Sequence, residues 1–187
     1  MADRGLTGVL LVGGASRRFG SPKALARLDG LTLAKIGWES LAFCDERLAV
    51  GKAGDGLELP FPVQDDGIEV RAPIAGLVAG LRAAANDLCV VLPVDTPRIG
   101  SSQLRALADA CADAAVPSTG PLPGAYRRSA LAALEQALTV GELSLRKVLA
   151  RLDVVYVDSD QGLLINVNRP DDLARLRPRG LPKRRRL

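Results

Sequence analysis

The residues best suited to chemistry sit near the start of the chain. Val9 to Val12 is an apolar run that ends in Gly13-Gly14, followed by Ser16, Arg17, Arg18, Gly20 and Lys23. Glycines lack a Cβ and reach backbone conformations closed to other residues, so consecutive N–H groups can converge on an anion. Arg18 and Lys23 add countercharge, one as a planar fork and the other as a compact point charge. With the hydroxyl of Ser16, these groups form a cradle for polyphosphate. Two better-known phosphate loops are excluded. The chain has no Gly-Lys-Ser or Gly-Lys-Thr for a P-loop, and Gly13-Gly14 has the wrong spacing for a dinucleotide fingerprint. The other chemical candidate is Asp95, set between Pro93 and Pro97 after the apolar run Leu88 to Leu92. Each proline presets its own φ and bars helix in the residue before it, so the carboxylate is fixed in a turn at a strand end.

What is missing narrows the chemistry further. The 187 residues contain no histidine, which excludes His-based triads and His-ligated metals and leaves carboxylate, lysine and arginine. The three cysteines, Cys44, Cys89 and Cys111, match neither a zinc knuckle nor a redox pair, and are expected as free thiols, with Cys89 and Cys111 buried. The net charge of +4 belongs to the tail. Residues 177–187 carry six positive charges and no acid, leaving +4 − 6 = −2 for the rest. Without interleaved aromatics the tail reads as disordered and solubilising, not as a nucleic-acid arm. No signal peptide and no membrane-spanning apolar run is evident, so a cytoplasmic protein is expected.

Positioning these groups requires strands that alternate with helices. Apolar runs are expected as strands at Val9–Val12, Arg47–Val50, Phe61–Gln64, Leu88–Leu92, Ala115–Pro117, Val154–Val157 and Leu163–Ile165. Residues 24–28 read as a strand or a turn, closed by Asp29-Gly30. Helical spacing is expected from Thr32 as N-cap, from Pro73, from Ser101 or Ser102 as N-cap, and around Leu131–Leu138 and Leu145–Leu152. Ser118–Gly124 reads as a loop, and Asn168 as the cap of a last helix whose first turn holds Asp171 and Asp172. Alternation of this kind argues for a single α/β domain, residues 1–176, with a doubly wound, mostly parallel sheet. Its nucleotide-binding half would span about 1–100 and its acceptor half about 101–176. Ligands in such sheets sit beyond the carboxyl ends of strands, where Gly13-Gly14 and Asp95 both fall.

The string GGxSxRxGxxK after an N-terminal strand resembles the signature of the MobA-like nucleotidyltransferases. Pro73-Ile74-Ala75-Gly76, Pro93 to Pro97 and Asn166 to Leu173 extend the resemblance to the molybdenum cofactor guanylyltransferases, and Pro121 to Arg128 is similar to that family's pterin-side half. The resemblance implies a Rossmann-like, glycosyltransferase-A-like nucleotidyltransferase fold. It also implies Mg²⁺-dependent transfer of GMP from GTP to molybdopterin, with release of pyrophosphate. By position it assigns backbone contacts with the nucleotide to Leu11, Val12 and Gly13, beside Gly14 and Ser16, and phosphate binding to Arg18 and Lys23. It assigns metal binding to Asp95, a further nucleotide contact to Asp65 with Asp66 as its rival, and proximity to the acceptor to Asn166 and Asn168. Gly51 departs from the pattern, standing where some members carry a nucleotide-contacting asparagine. A cytidylyltransferase of the same fold and a non-catalytic molybdopterin carrier are the alternatives. Transient contacts with proteins that deliver and insert the cofactor are implied, and neither nucleic acid nor membrane is an expected partner.

Overall fold

The computed structural model describes residues 5–13 and 19–176. Gly14, Ser16, Arg18 and the basic segment 177–187 therefore lie outside the described residues. The first strand, β1 (Leu6–Leu11), forms where aliphatic residues follow one another, as expected of a strand covered on both faces. It lies between β4 (Glu46–Gly51) and β6 (Leu88–Pro93), parallel to both. β5 (Val63–Asp65) extends the parallel set beyond β4. On the other side β8 (Gly124–Arg127) runs antiparallel to β6 and to β7 (Ala114–Pro117), and β9 (Val154–Val157) pairs parallel to β7. The seven strands take the order β5-β4-β1-β6-β8-β7-β9. A separate hairpin joins β2 (Arg27–Leu28) to β3 (Leu31–Thr32).

Two-residue periodicity divides the core into two layers. Leu10, Val12, Val90 and Leu92 face α1 (Leu33–Ser40), α3 (Ser101–Asp109) and α6 (Pro170–Leu176). Val9, Leu11, Cys89 and Val91 face α2 (Pro73–Ala83), α4 (Leu131–Thr139) and α5 (Leu145–Leu149). Glycines let the flanking helices approach the central strand closely. A Cβ at Gly37 would come within 2.6 Å of Leu10, and one at Gly80 within 2.6 Å of Val9. No helix among the described residues is long and apolar enough to cross a membrane.

Local readings hold where the signal is chemical. The Thr32 hydroxyl accepts from the Lys35 N–H and caps α1. Elsewhere the structure corrects them. Gly100, not Ser101 or Ser102, occupies the cap position of α3, without a side-chain cap. Leu163–Ile165 is not a strand but a turn stitched by Leu163 N–H to Asp160 O and Leu164 N–H to Gln161 O. The unexpected strand is β8, antiparallel and begun by Gly124, where a Cβ would come within 2.9 Å of Pro121 O and of the Tyr126 ring. Asn168 does not cap α6. Asp172 does that work from within the helix, accepting from the backbone N–H groups of Asn168 and Arg169 at 2.8 Å each.

Candidate active site

At the carboxyl edge of the sheet the ladder continues one residue past each strand. Val12 N–H donates to Val50 O at 2.9 Å, and Val94 N–H donates to Leu11 O at 3.0 Å. The ends of β4, β1 and β6 are thereby held level, and a cleft of about 270 Å³ opens above them. Leu11, Val12 and Gly13 form its floor, and Pro73 and Gly76 of the first turn of α2 form one wall. That turn carries no acidic residue, so the partial positive charge of the helix end adds to the cleft's attraction for anions.

Asp95 follows β6 in a turn tied by Thr96, whose N–H and hydroxyl both donate to Pro93 O, at 3.3 and 3.0 Å. Lys23 comes from a 3-10 turn, Lys23–Leu25, anchored by the buried Ala24. The two side chains, 72 residues apart in sequence, meet in the cleft with Lys23 Nζ donating to Asp95 Oδ2 at 3.1 Å. Lys23 Nζ also donates to Asn168 Oδ1 at 3.2 Å. The segment bearing Asn168 is stapled to the same turn, since Val167 N–H donates to Asp95 O at 2.7 Å. Lys23, Asp95 and Asn168, three of the residues singled out in the sequence, therefore form one cluster. Asn166 and Asn168 are both exposed and neither lines the cleft, which Asn168 touches only through Lys23.

The remaining candidate acid divides differently. Asp65 is exposed and accepts from Gly67 N–H in a local turn, whereas Asp66 lines the cleft. Asp66 Oδ1 accepts from Lys52 Nζ at 2.7 Å and from Ile68 N–H at 2.9 Å. Lys52 and Arg71 are lining cations not singled out in the sequence, and Arg71 is paired with Asp55 at 2.8 Å. The available signal was Lys52 following directly on the apolar end of β4, as Gly13 follows β1.

Each cation of the described lining thus meets a carboxylate, which holds the side chains in place at little net charge. Among the described residues no group of three or more His, Cys, Asp and Glu gathers as a metal site. A Mg²⁺ ion bound with a nucleotide needs only one or two carboxylates, phosphate oxygens and water supplying the rest. Asp95, a hard oxygen donor a quarter exposed in the cleft, fits that requirement.

Residues 8–155 match the family described as the MobA-like NTP transferase domain. A probable molybdenum cofactor guanylyltransferase from Deinococcus radiodurans is 35% identical over 184 residues, covering 94% of this chain and 95% of its own. A molybdenum cofactor guanylyltransferase from Burkholderia vietnamiensis is 36% identical, with 91% and 95% covered. The crystal structure of molybdopterin-guanine dinucleotide biosynthesis protein A from Archaeoglobus fulgidus superposes with a TM-score of 0.78 at 29% identity, covering 90% of this chain and 95% of that one.

Proposed function

The chain belongs to the MobA-like NTP transferase family and is a nucleotidyltransferase, and from that premise we propose that it transfers GMP from GTP to molybdopterin. The observation that carries the reading is the meeting of Lys23 and Asp95 in a cleft floored by the end of β1, with Asn168 bonded to the same ammonium. An oxygen of the acceptor's terminal phosphate forms a bond to the α-phosphorus of GTP. The bond from that phosphorus to the bridging oxygen breaks, and pyrophosphate leaves. The nucleophile is already an anion, so the absence of histidine is no obstacle, and catalysis reduces to positioning and charge neutralisation.

In this scheme Lys23 holds phosphate oxygens with its ammonium group, and Asp95 is the residue that would hold Mg²⁺. Bound there, the metal would neutralise charge on the phosphates. Asn168 keeps the Lys23 side chain at the cleft mouth, and the Asn166–Asn168 segment borders the acceptor's approach. The test is a panel of GTP, CTP, ATP and UTP, each with Mg²⁺ and molybdopterin, scored by product mass. GMP transfer from GTP alone is expected. Preferential CMP transfer from CTP would overturn the guanylyl assignment, and no pyrophosphate with any nucleotide would overturn the transferase assignment to this acceptor.

A further inference from the structure

The cleft has two charged ends, and the scheme above uses only one. In the order β5-β4-β1-β6, Asp66 follows β5 and Asp95 closes the turn after β6. Neighbouring strands lie roughly 5 Å apart, so three steps separate the ends by about 14 Å, the span of a nucleotide and not of one phosphate. At that end Asp66 and Lys52 neutralise one another at 2.7 Å. A carboxylate there suits the N–H donors on the edge of a base.

A side chain at position 51 would crowd the end of β1. A Cβ at Gly51 would stand 3.0 Å from Val12 Cγ2 and 3.3 Å from Gly13 N, and one at Gly13 would stand 3.0 Å from Gly51 Cα. The seam between β1 and β4 is closed, and the next residue, Lys52, provides the polar group. Its ammonium, largely buried, bridges Asp66 Oδ1 and the carbonyl of Ile68. Ile68 N–H donates to the same Oδ1, and Asp66 N–H donates to Gly51 O. Oδ1 is fully engaged, and among the described residues Oδ2 accepts no hydrogen bond.

We propose that Lys52 is the positioning residue of the nucleobase end: by engaging Oδ1 of Asp66 and the Ile68 carbonyl, it presents Oδ2 as the acceptor for the N–H donors of the base. Resting on the guanylyl reading, the base is guanine, whose ring N–H and exocyclic amine lie side by side and can converge on that one oxygen.

Calorimetry on the full chain with Mg²⁺ tests this, using GTP, ITP (which lacks the exocyclic amine), CTP and inorganic tripolyphosphate against wild type, Lys52→Met and Lys52→Arg. Lys52→Met is expected to weaken GTP about tenfold, the scale of one charged hydrogen bond. It should also shrink the preference for GTP over ITP and leave tripolyphosphate within about twofold, with Lys52→Arg restoring most of the loss. Equal weakening of GTP and tripolyphosphate would make Lys52 a phosphate ligand and overturn the proposal, as would unchanged GTP binding. Should Lys52→Met fail to melt cooperatively, Lys52→Gln, which lacks the charge and is too short to bridge both oxygens, is judged by the same comparison. Wild type binding CTP more tightly than GTP would sink the guanylyl reading alone. Lys52 would then be judged with CTP in place of GTP, against tripolyphosphate.

Discussion

Replacing Lys23 by alanine separates the two roles that this side chain can have. Its ion pair with Asp95 spans 3.1 Å, with the two side chains 15% and 25% exposed. Such a pair is partly screened and contributes at most about 1 kcal/mol to folding. Water can reach the stranded carboxylate, and the turn beneath it keeps the Val167 N–H to Asp95 O bond. For a chain of this size 1 kcal/mol moves the melting temperature by about 2–4 °C. Losing a preorganised cation from developing phosphate charge costs about 10²–10³ in kcat. Lys23→Ala should therefore melt within about 4 °C of wild type and release pyrophosphate at under about 1% of its rate. Asp95→Asn, which preserves shape and an acceptor for Lys23, should show the same split. Paired circular-dichroism melts and pyrophosphate assays decide it. A variant that melts normally yet keeps more than about a tenth of turnover would refute a catalytic role, since a tenfold loss is only about 1.4 kcal/mol. A melting temperature lowered by more than about 8 °C would show the pair to be a structural element instead.

Three further outcomes follow from particular contacts. Asn168→Ala removes an acceptor at 3.2 Å from Lys23 Nζ without touching the Asp172 cap, and should lower kcat about fivefold to tenfold with the melting temperature unchanged. Gly51→Asn, which places a side chain in the closed seam, must displace Val12 or Gly13 and should cost about 1–3 kcal/mol, read as a lower thermal midpoint; an unchanged midpoint would show that the seam yields freely. Burial pushes the Cys44 and Cys89 thiols up from 9.0 to about 12 and the Cys111 thiol to about 11. The folded thiols thus hold protons that the unfolded chain gives up near pH 9, so their contribution to stability is whole below pH 9 and drains away between about 9 and 12. Denaturant melts across that range should show the decline, and its persistence after all three cysteines become serine would assign it to other groups.

The parallel half of the fold was legible because its signals are chemical and local. Leu88 to Leu92 has no polar residue, so it can only be a strand covered on both sides, and the structure puts it beside β1. Thr32 advertised a cap and supplies it. The antiparallel half carried weaker signals. Gly124–Arg127 is four residues long, preceded by prolines and begun by glycine, all of which argue for a loop, and it becomes a strand because β6 and β7 offer ladders on both sides. Leu163–Ile165 is the reverse case, an apolar triplet with no strand edge to join, held by hydrogen bonds to Asp160 and Gln161. Asn168 looked like a cap from its place before Pro170, yet Asp172 reaches back to the N–H groups of Asn168 and Arg169, and the side-chain Oδ1 of Asn168 accepts from Lys23 instead. Local pattern cannot decide which of two competent side chains caps a helix.

The same logic explains why one end of the cleft was readable and the other was not. At the Lys23–Asp95 end the backbone demands unusual residues, glycine after a strand and prolines about a turn, and these stand out in any sequence. At the Lys52–Asp66 end ordinary residues do the work, and their meaning comes from a steric fact visible only in three dimensions. Gly13 and Gly51 abut, and the first side chain that the β4 end presents is that of Lys52. Lys52 must then reach across to Asp66 and the Ile68 carbonyl, and in doing so ties the 66–68 segment to the strand it left. Asp66, and not Asp65, is drawn to the cleft because its own N–H is already bonded to Gly51 O, one step beyond the β4–β5 ladder. Sequence spacing cannot separate two adjacent aspartates, whereas a single backbone hydrogen bond does.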